Sequence, residues 1–360
     1  MIPRCTLSRL VLLLALLTPA RWLPAQAAAD SRVTLAGLKA TAVKMAVAEV
    51  ADSLVQVRLI GEYKGLSRDS VGAATGVLIE PSWVITSTFG LGDRQAGVLV
   101  KLRDGSTRSA KPAGVDHSRQ VALLQLSEPA PGLARGLEPR SHVEPGETAI
   151  AVGAAYGAAE PVVSVGIVSA TGRLYGRAVQ TDAATSPANY GGLLIDLRGR
   201  VLGLITPIGQ NDQQSVEWYD SGIGFAAPLD AILNRLPRMK QGEDLRPGKL
   251  GVAFPGGNGF TTPPIVEKTA PAGPAAVAGV LSGDRITGVN DTAVRTVQQL
   301  RVALGPIDAG EKARLTLERG ENHEQHTVEV QLAAATEIKG PTEETPELLQ
   351  RLERNAPQAE

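Results

Sequence analysis

The sequence predicts a mainly β protein of more than one domain, and three observations predict it. Its 360 residues exceed what one hydrophobic core normally serves, so the chain divides. Gly 39 and Pro 24, with only 3% aromatics, describe a turn-rich β chain better than a helical bundle. The third observation is periodicity. Ser53 to Ile60 alternates as a strand does, with Leu54, Gln56 and Arg58 on one face and Val55, Val57 and Leu59 on the other.

Residues 1–27 read as a secretory signal: Arg4 and Arg9 make a positive start, Leu10 to Leu17 an apolar run, and Ala25-Gln26-Ala27 a small-x-small cleavage site. The alternative, a membrane span, needs about 20 apolar residues. Arg21 beside the cleavage site leaves an uncleaved anchor open. The segment carries three arginines and no acid, so its removal turns a balance of 36 basic and 37 acidic residues clearly acidic. Nucleic acid is therefore not an expected partner, because phosphate neutralisation needs a basic surface. Cys5, the only cysteine, leaves with the signal, so neither disulfides nor thiol chemistry are expected. His117, His142, His323 and His326 lack the spacing of a zinc site, and no metal or other cofactor is expected.

Taken in order, residues 30–52 place Val33, Leu35, Leu38, Ala42 and Met45 at helical spacing and predict a helix leading into the first strand. Gly61 to Gly72 is a polar loop, and Ala73 to Thr88 reads as two strands about a turn at Glu80-Pro81-Ser82. A short apolar helix, Ala231 to Leu236, precedes a charged connection, Arg238 to Pro247, broken by Gly242 and Pro247. Thr296 to Leu304 reads as a helix with Thr296 as its N-cap. Arg314 to Leu317 and Thr327 to Gln331 read as closing strands joined through Gly320-Glu321-Asn322. The acidic tail, 335–360, has one candidate helix at Pro346 to Arg354, with a frayed terminus as the plainer reading.

Ordered motifs then say what kind of β protein this is. Gln180 to Thr206, QTDAATSPANYGGLLIDLRGRVLGLIT, resembles the nucleophile segment of the HtrA/Deg family of trypsin-like serine proteases. Gln180, Thr181, Asp182, Ala183, Pro187, Asn189, Gly191, Gly192 and Leu194 match in order. Val84-Ile85-Thr86 resembles the strand before the family's base, and Val121 to Leu124 the strand after its acid. Ala151 to Gly157, Val163 to Arg173 and Ser221 to Pro228 add three further matches. The resemblance covers roughly residues 50–235 and implies a trypsin-like double six-stranded β-barrel over 28–240.

Acyl transfer on that scaffold needs a small nucleophile, a base and an acid that orients the base. The positions the resemblance assigns to these roles hold Tyr190, Phe89 and Gln120. Phenylalanine has no lone pair to act as a base, and a tyrosine hydroxyl on its long rigid side chain would occupy the substrate's own space. The implied oxyanion-hole donors are the amides of Tyr190 and Ala188, and alanine at the second position restricts a backbone that glycine leaves free. The resemblance is thus to a protease scaffold without its chemistry, a pseudoprotease. Phe89 and Tyr190 also have a plain reading as two aromatics filling the vacated cleft.

After a linker at 241–247, residues 248–334 resemble a PDZ domain. Lys249-Leu250-Gly251-Val252 stands at the carboxylate-binding loop, and Pro274 to Val294, PAAVAGVLSGDRITGVNDTAV, is close to the PDZ run. The resemblance implies groove roles for Val297, Arg301 and Leu304, with Leu300 in the core. Gly256 to Pro264, GGNGFTTPP, interrupts the start of the binding strand and would reshape or cap the groove.

The implied function is non-enzymatic: an exported protein of the bacterial periplasm or cell envelope that binds unfolded or C-terminal segments of other exported proteins through the PDZ groove and the inactive cleft, in a chaperone-like or regulatory role. An active HtrA-type protease is a further candidate partner. A homotrimer is the family's habit, although no aromatic stands between Ala25 and Gly61, where such trimers often make contact. Two alternatives stay open. One is an active endopeptidase with a displaced arrangement drawn from His117 beside Asp116 and from Ser186, Thr185 or Ser87. The other is an envelope scaffold using the PDZ domain as an adaptor.

Overall fold

A computed structural model of the chain describes residues 35–60, 73–89, 91, 97–130, 137–157, 159–208, 222–320 and 322–338. The signal, the 61–72 loop and the candidate tail helix lie outside them. The described residues from 42 onward belong to one compact unit. Helix α1 (Leu35–Ala51) enters it and buries Ala46, Val47 and Val50.

The first barrel closes in the order β1-β2-β3-β6-β5-β4, formed by β1 (Leu54–Ile60), β2 (Ala74–Glu80), β3 (Trp83–Ser87), β4 (Gly97–Lys101), β5 (Thr107–Asp116) and β6 (Val121–Leu126). Val55 and Val57 fill its interior with Val84, Val100 and Leu124. The opposite face of β1 is buried over its first half, where Leu54 joins the core shared with the second barrel and Gln56 Nε2 donates to Ala155 O, and is exposed at Arg58. Two-sided burial follows from a second barrel resting on the first.

That second barrel runs β7 (Thr148–Gly153), β8 (Val162–Gly172), a tight turn α2 (Arg173–Gly176), β9 (Ala178–Thr181), β10 (Leu193–Ile195), β11 (Val201–Ile205) and β12 (Gly224–Pro228), closed in the order β10-β11-β12-β9-β8-β7. Closure leaves neither barrel an edge strand. The single helix expected at 231–236 is instead two short ones, α3 (Leu229–Leu233) and α4 (Leu236–Lys240), because Pro237 can stand only in the first turn of a helix.

The PDZ domain follows with β13 (Val252–Ala253), β14 (Lys268–Thr269), α5 (Pro274–Val277), β15 (Arg285–Val289), β16 (Thr292–Ala293), α6 (Val297–Leu304), β17 (Lys312–Arg319) and β18 (Glu324–Gln331). Thr296 caps α6, its hydroxyl accepting from Gln299 N at 3.2 Å. Strands β17 and β18 are longer than their apolar residues suggested. They pair without interruption from Lys312↔Gln331 to Arg319↔Glu324, one face buried on Leu315, Leu317 and Val330 and the other polar.

A buried ionic joint holds the PDZ domain to the barrels. Asp308, between α6 and β17, is fully buried and accepts from Arg119 Nη1 at 3.3 Å and Arg235 Nε at 2.5 Å. Arg119, itself 1% exposed, also reaches Asp116 Oδ2 at 2.9 Å and Pro306 O at 3.2 Å. Backbone contact reinforces the joint: a Cβ at Gly305 would stand 1.7 Å from Tyr175 O. Only glycine permits that approach.

Candidate functional site

Where β3 ends and the segment before β10 begins, the two barrels meet face to face. Gly191, with φ 80°, lies so close to the first barrel that a Cβ would stand 2.1 Å from Thr75 O and 2.6 Å from Thr86 Oγ1. Thr75 is the stitch between them. Its N–H donates to Tyr190 O at 3.1 Å, its hydroxyl donates to Ala188 O at 3.1 Å and accepts from Ala154 N at 2.7 Å, and its carbonyl accepts from Thr86 Oγ1 at 2.6 Å. Nothing in the motif marked Thr75, because its role is set by strand pairing across the interface.

In this frame Tyr190 and Phe89 come together. Their ring centroids are 5.1 Å apart with planes at 65°, an edge-to-face contact, and Tyr190 is 6% exposed. The amides named as oxyanion-hole equivalents turn inward. Residues 186–190 curl into a turn in which Asn189 N and Tyr190 N both donate to Ser186 O, at 2.9 and 3.0 Å, and Ala188 N donates to Ser186 Oγ at 3.3 Å. Buried Asn189 locks the turn, accepting from Ser186 N at 2.8 Å and donating to Ala184 O at 2.9 Å.

Gln120 lies alongside, in the left-handed region at φ 56°. Its backbone carbonyl accepts from Thr88 N at 3.0 Å, its side-chain oxygen from Thr88 Oγ1 at 2.6 Å, and its Nε2 donates to His117 O at 3.0 Å. It braces the turn before Phe89 and orients no base. Of the groups considered for a displaced centre, Asp116 is committed to Ser118 N, Arg119 N and the Arg119 guanidinium, and His117 Nε2 stands 4.0 Å from Asp244. Ser87 Oγ accepts from Phe89 N at 3.1 Å. Among the described residues no cluster of three or more His, Cys, Asp or Glu could hold a metal ion.

The second place with binding geometry is the PDZ groove, a cavity of about 730 Å³ lined by Lys249, Leu250, Gly251, Val252, Arg301 and Leu304 among others. Gly251 has φ 71°, the left-handed conformation that opens a loop around an anion. Among the described residues the amides of Leu250 and Gly251 have no hydrogen-bond partner, while their carbonyls accept from Ala275 N and Ala270 N. Val297 does not line this cavity. It is 4% exposed, and its amide is held by Thr262 O at 2.9 Å, so the 256–264 segment folds onto the start of α6. Gln298 N to Gly259 O, 3.0 Å, completes that attachment.

The barrel also contributes to the groove. Tyr175 lines it from α2, where Leu174 and Tyr175 both hold positive φ, 52° and 60°. Two consecutive non-glycine residues there are costly and persist only where surroundings impose them. The sequence carried no signal for Tyr175, since the contact is made across domains.

Residues 74–204 match the trypsin-like peptidase domain and residues 248–332 the PDZ domain. The chain is 29% identical over 299 residues to the periplasmic serine endoprotease DegP of Salmonella typhimurium, covering 78% of this chain and 62% of that protein. It is 30% identical over 308 residues to a probable periplasmic serine protease do/HhoA-like of Haemophilus influenzae, covering 77% and 63%. The chain thus spans less than two thirds of the length of these relatives. Among solved structures, the HtrA-type protease AlgW with a tripeptide superposes with TM-score 0.60 at 24% identity, covering 81% of this chain and 96% of that one. The serine endoprotease from Yersinia pestis superposes at 0.56 and 24%, covering 81% and 97%. At that identity both likenesses speak for the fold.

Proposed function

We propose that the chain, which matches a trypsin-like peptidase domain followed by a PDZ domain and is similar to HtrA/DegP-type proteins, is an exported binder of polypeptides whose hydrolytic centre is silent. The observation that carries this reading is the contact of Phe89 with Tyr190: two rings pack edge to face at the positions that the resemblance gives to base and nucleophile. Phe89, at the base position, has no lone pair to take a proton from an attacking group, and Gln120 beside it spends its side chain on Thr88 and His117.

Binding is assigned to the PDZ groove. The unpartnered amides of Leu250 and Gly251 suit a terminal carboxylate, and Arg301 and Leu304 of α6 face the same cavity. A relative solved with a tripeptide supports this choice of ligand. Export rests on the signal-like residues 1–27 and on the periplasmic naming of the relatives. Holding polypeptides without cutting them gives a chaperone-like or regulatory role in the envelope. A homotrimer and an active HtrA-type protease partner belong to the same proposal.

The test uses residues 28–360, denatured casein, a fluorophosphonate probe, and the triple variant Phe89→His, Gln120→Asp, Tyr190→Ser. The natural protein is expected neither to cleave nor to label, and to bind a labelled peptide with a free C-terminal carboxylate better than its amide. Cleavage that survives repurification and is abolished by Ser186→Ala or His117→Ala would overturn the silent-centre reading in favour of a displaced endopeptidase.

A further inference from the structure

We infer that the segment following the last PDZ strand, residues 335–338, forms the end wall of the peptide groove, with Ile338 contacting the final side chain of a bound polypeptide. The inference rests on the peptide-binding reading above and adds to it the source of selectivity at the terminal position.

The path of the chain makes the case. Beyond β18 the backbone pairs with the strand leading into the carboxylate-binding loop: Lys249 N donates to Ala333 O at 2.8 Å, and Ala333 N to Lys249 O at 3.3 Å. A tight turn follows, closed by Glu337 N to Ala334 O at 3.0 Å and by Ala334 N to Glu337 Oε2 at 3.0 Å. Ala334 is buried, so the turn is anchored on the domain. The turn returns Ile338 to the loop, where its Cγ2 stands 3.4 Å from the position a Cβ would take on Gly251. Ala335 and Ile338 line the same cavity as Leu250 and Leu304.

Two features make this a wall and not a plug. Ile338 leaves the Leu250 and Gly251 amides unpartnered, and the cavity between the loop and α6 retains about 730 Å³. Ile338 is half-buried, so part of its apolar surface is open to be covered by a ligand. The chemistry that fits is a polypeptide end with a free carboxylate on the loop amides and an apolar last side chain between Leu250, Leu304 and Ile338. The contributing residues lie past the PDZ match, which ends at 332.

The experiment uses residues 28–360 with Ile338→Ala, Ile338→Asp and Ile338→Leu substitutions. Binding is read by fluorescence anisotropy with short labelled Gly/Ser peptides whose last residue is Ala, Val, Leu or Phe, each as free carboxylate and as amide. For Ile338→Ala, affinity for peptides ending in Val or Leu is expected to fall about fivefold, while the peptide ending in Ala changes less than about twofold. Ile338→Asp removes the apolar preference, and Ile338→Leu keeps it. The preference for free acid over amide survives in all three, which separates wall from donor. Variants that bind all four peptides as the natural protein does, or more tightly, overturn the inference and leave the peptide-binding reading standing. A natural protein that binds none of the carboxylate peptides sinks that reading, and the wall with it.

Discussion

The cleft between the barrels and the groove of the PDZ domain would handle the same kind of group, an oxygen carrying negative charge, through the same kind of donor, a pair of backbone amides. They differ in where those amides point. In the cleft Ala188 and Tyr190 spend theirs on Ser186, inside a turn of their own making. In the groove those of Leu250 and Gly251 have no partner among the described residues, and Gly251 holds φ 71°. The lesson is that donor capacity lives in backbone conformation: alanine at 188 sits within a relaxed turn, whereas glycine at 251 holds one open. The side chains agree, with aromatic rings filling the cleft and aliphatic ones walling a cavity in the groove.

The largest test of this contrast cuts what fixes the two sites in one body. Asp308→Ala leaves Arg119 buried beside a lost partner and should cost about 3–5 kcal/mol. Denaturant unfolding should then resolve into two transitions, the PDZ domain melting apart from the barrels. Tyr190→Ala empties the cleft and should cost about 3 kcal/mol by calorimetry. Peptide affinity at the groove should stay unchanged, and a parallel loss there would show that the two sites are not independent. Gly251→Val, forced into a left-handed conformation, should cost about 1–2 kcal/mol. It should also weaken peptide binding by about tenfold or more, a selective loss that would confirm the loop as the anion site.

The smallest effect depends on pH. Burial alone would raise the Asp284 carboxyl, but two bonds from Arg319 at 2.7 Å each and one from Leu281 N hold it below the usual aspartate value. A depressed carboxylate gives stability that is complete above the unfolded value, about 3.9, and fades as pH falls through the folded value. Arg319 is a third exposed, so Asp284→Asn should cost only about 1 kcal/mol at neutral pH. Melts taken from neutral pH down into that acid range should show a flatter decline for the variant. An unchanged slope would place the acid sensitivity elsewhere.

Most of the architecture was legible because it is written locally. The QTDA and ANYGG runs, the hairpin at 73–88 and the PAAVAG to GDRITGVN run each carry a turn or close approach that few sequences satisfy. The contacts that position the sites were not legible, because their partners lie far apart in sequence. Arg119 meets Asp308 across 189 residues, and Thr75 meets Ala188 across 113. Nothing in the sequence marked Tyr175, whose strained turn lies against Gly305 of the PDZ domain. Val297 was misplaced for a related reason: the GGNGFTTPP segment folds back on the helix start and covers it.

The Asp308 joint also bears on how such a chain can be inherited. Its arginine partners come from three separate places: Arg119 from the loop between β5 and β6, Arg235 from the bend between α3 and α4, and Arg238 from α4, 3.8 Å away. A recombination that exchanged the PDZ domain at the linker would bring in a new residue against these three arginines, leaving Arg119 to Asp116, Arg238 to Glu243, and Arg235 without its carboxylate. The domains look modular on paper, yet barrel, connecting helices and PDZ domain would have to travel together as one block.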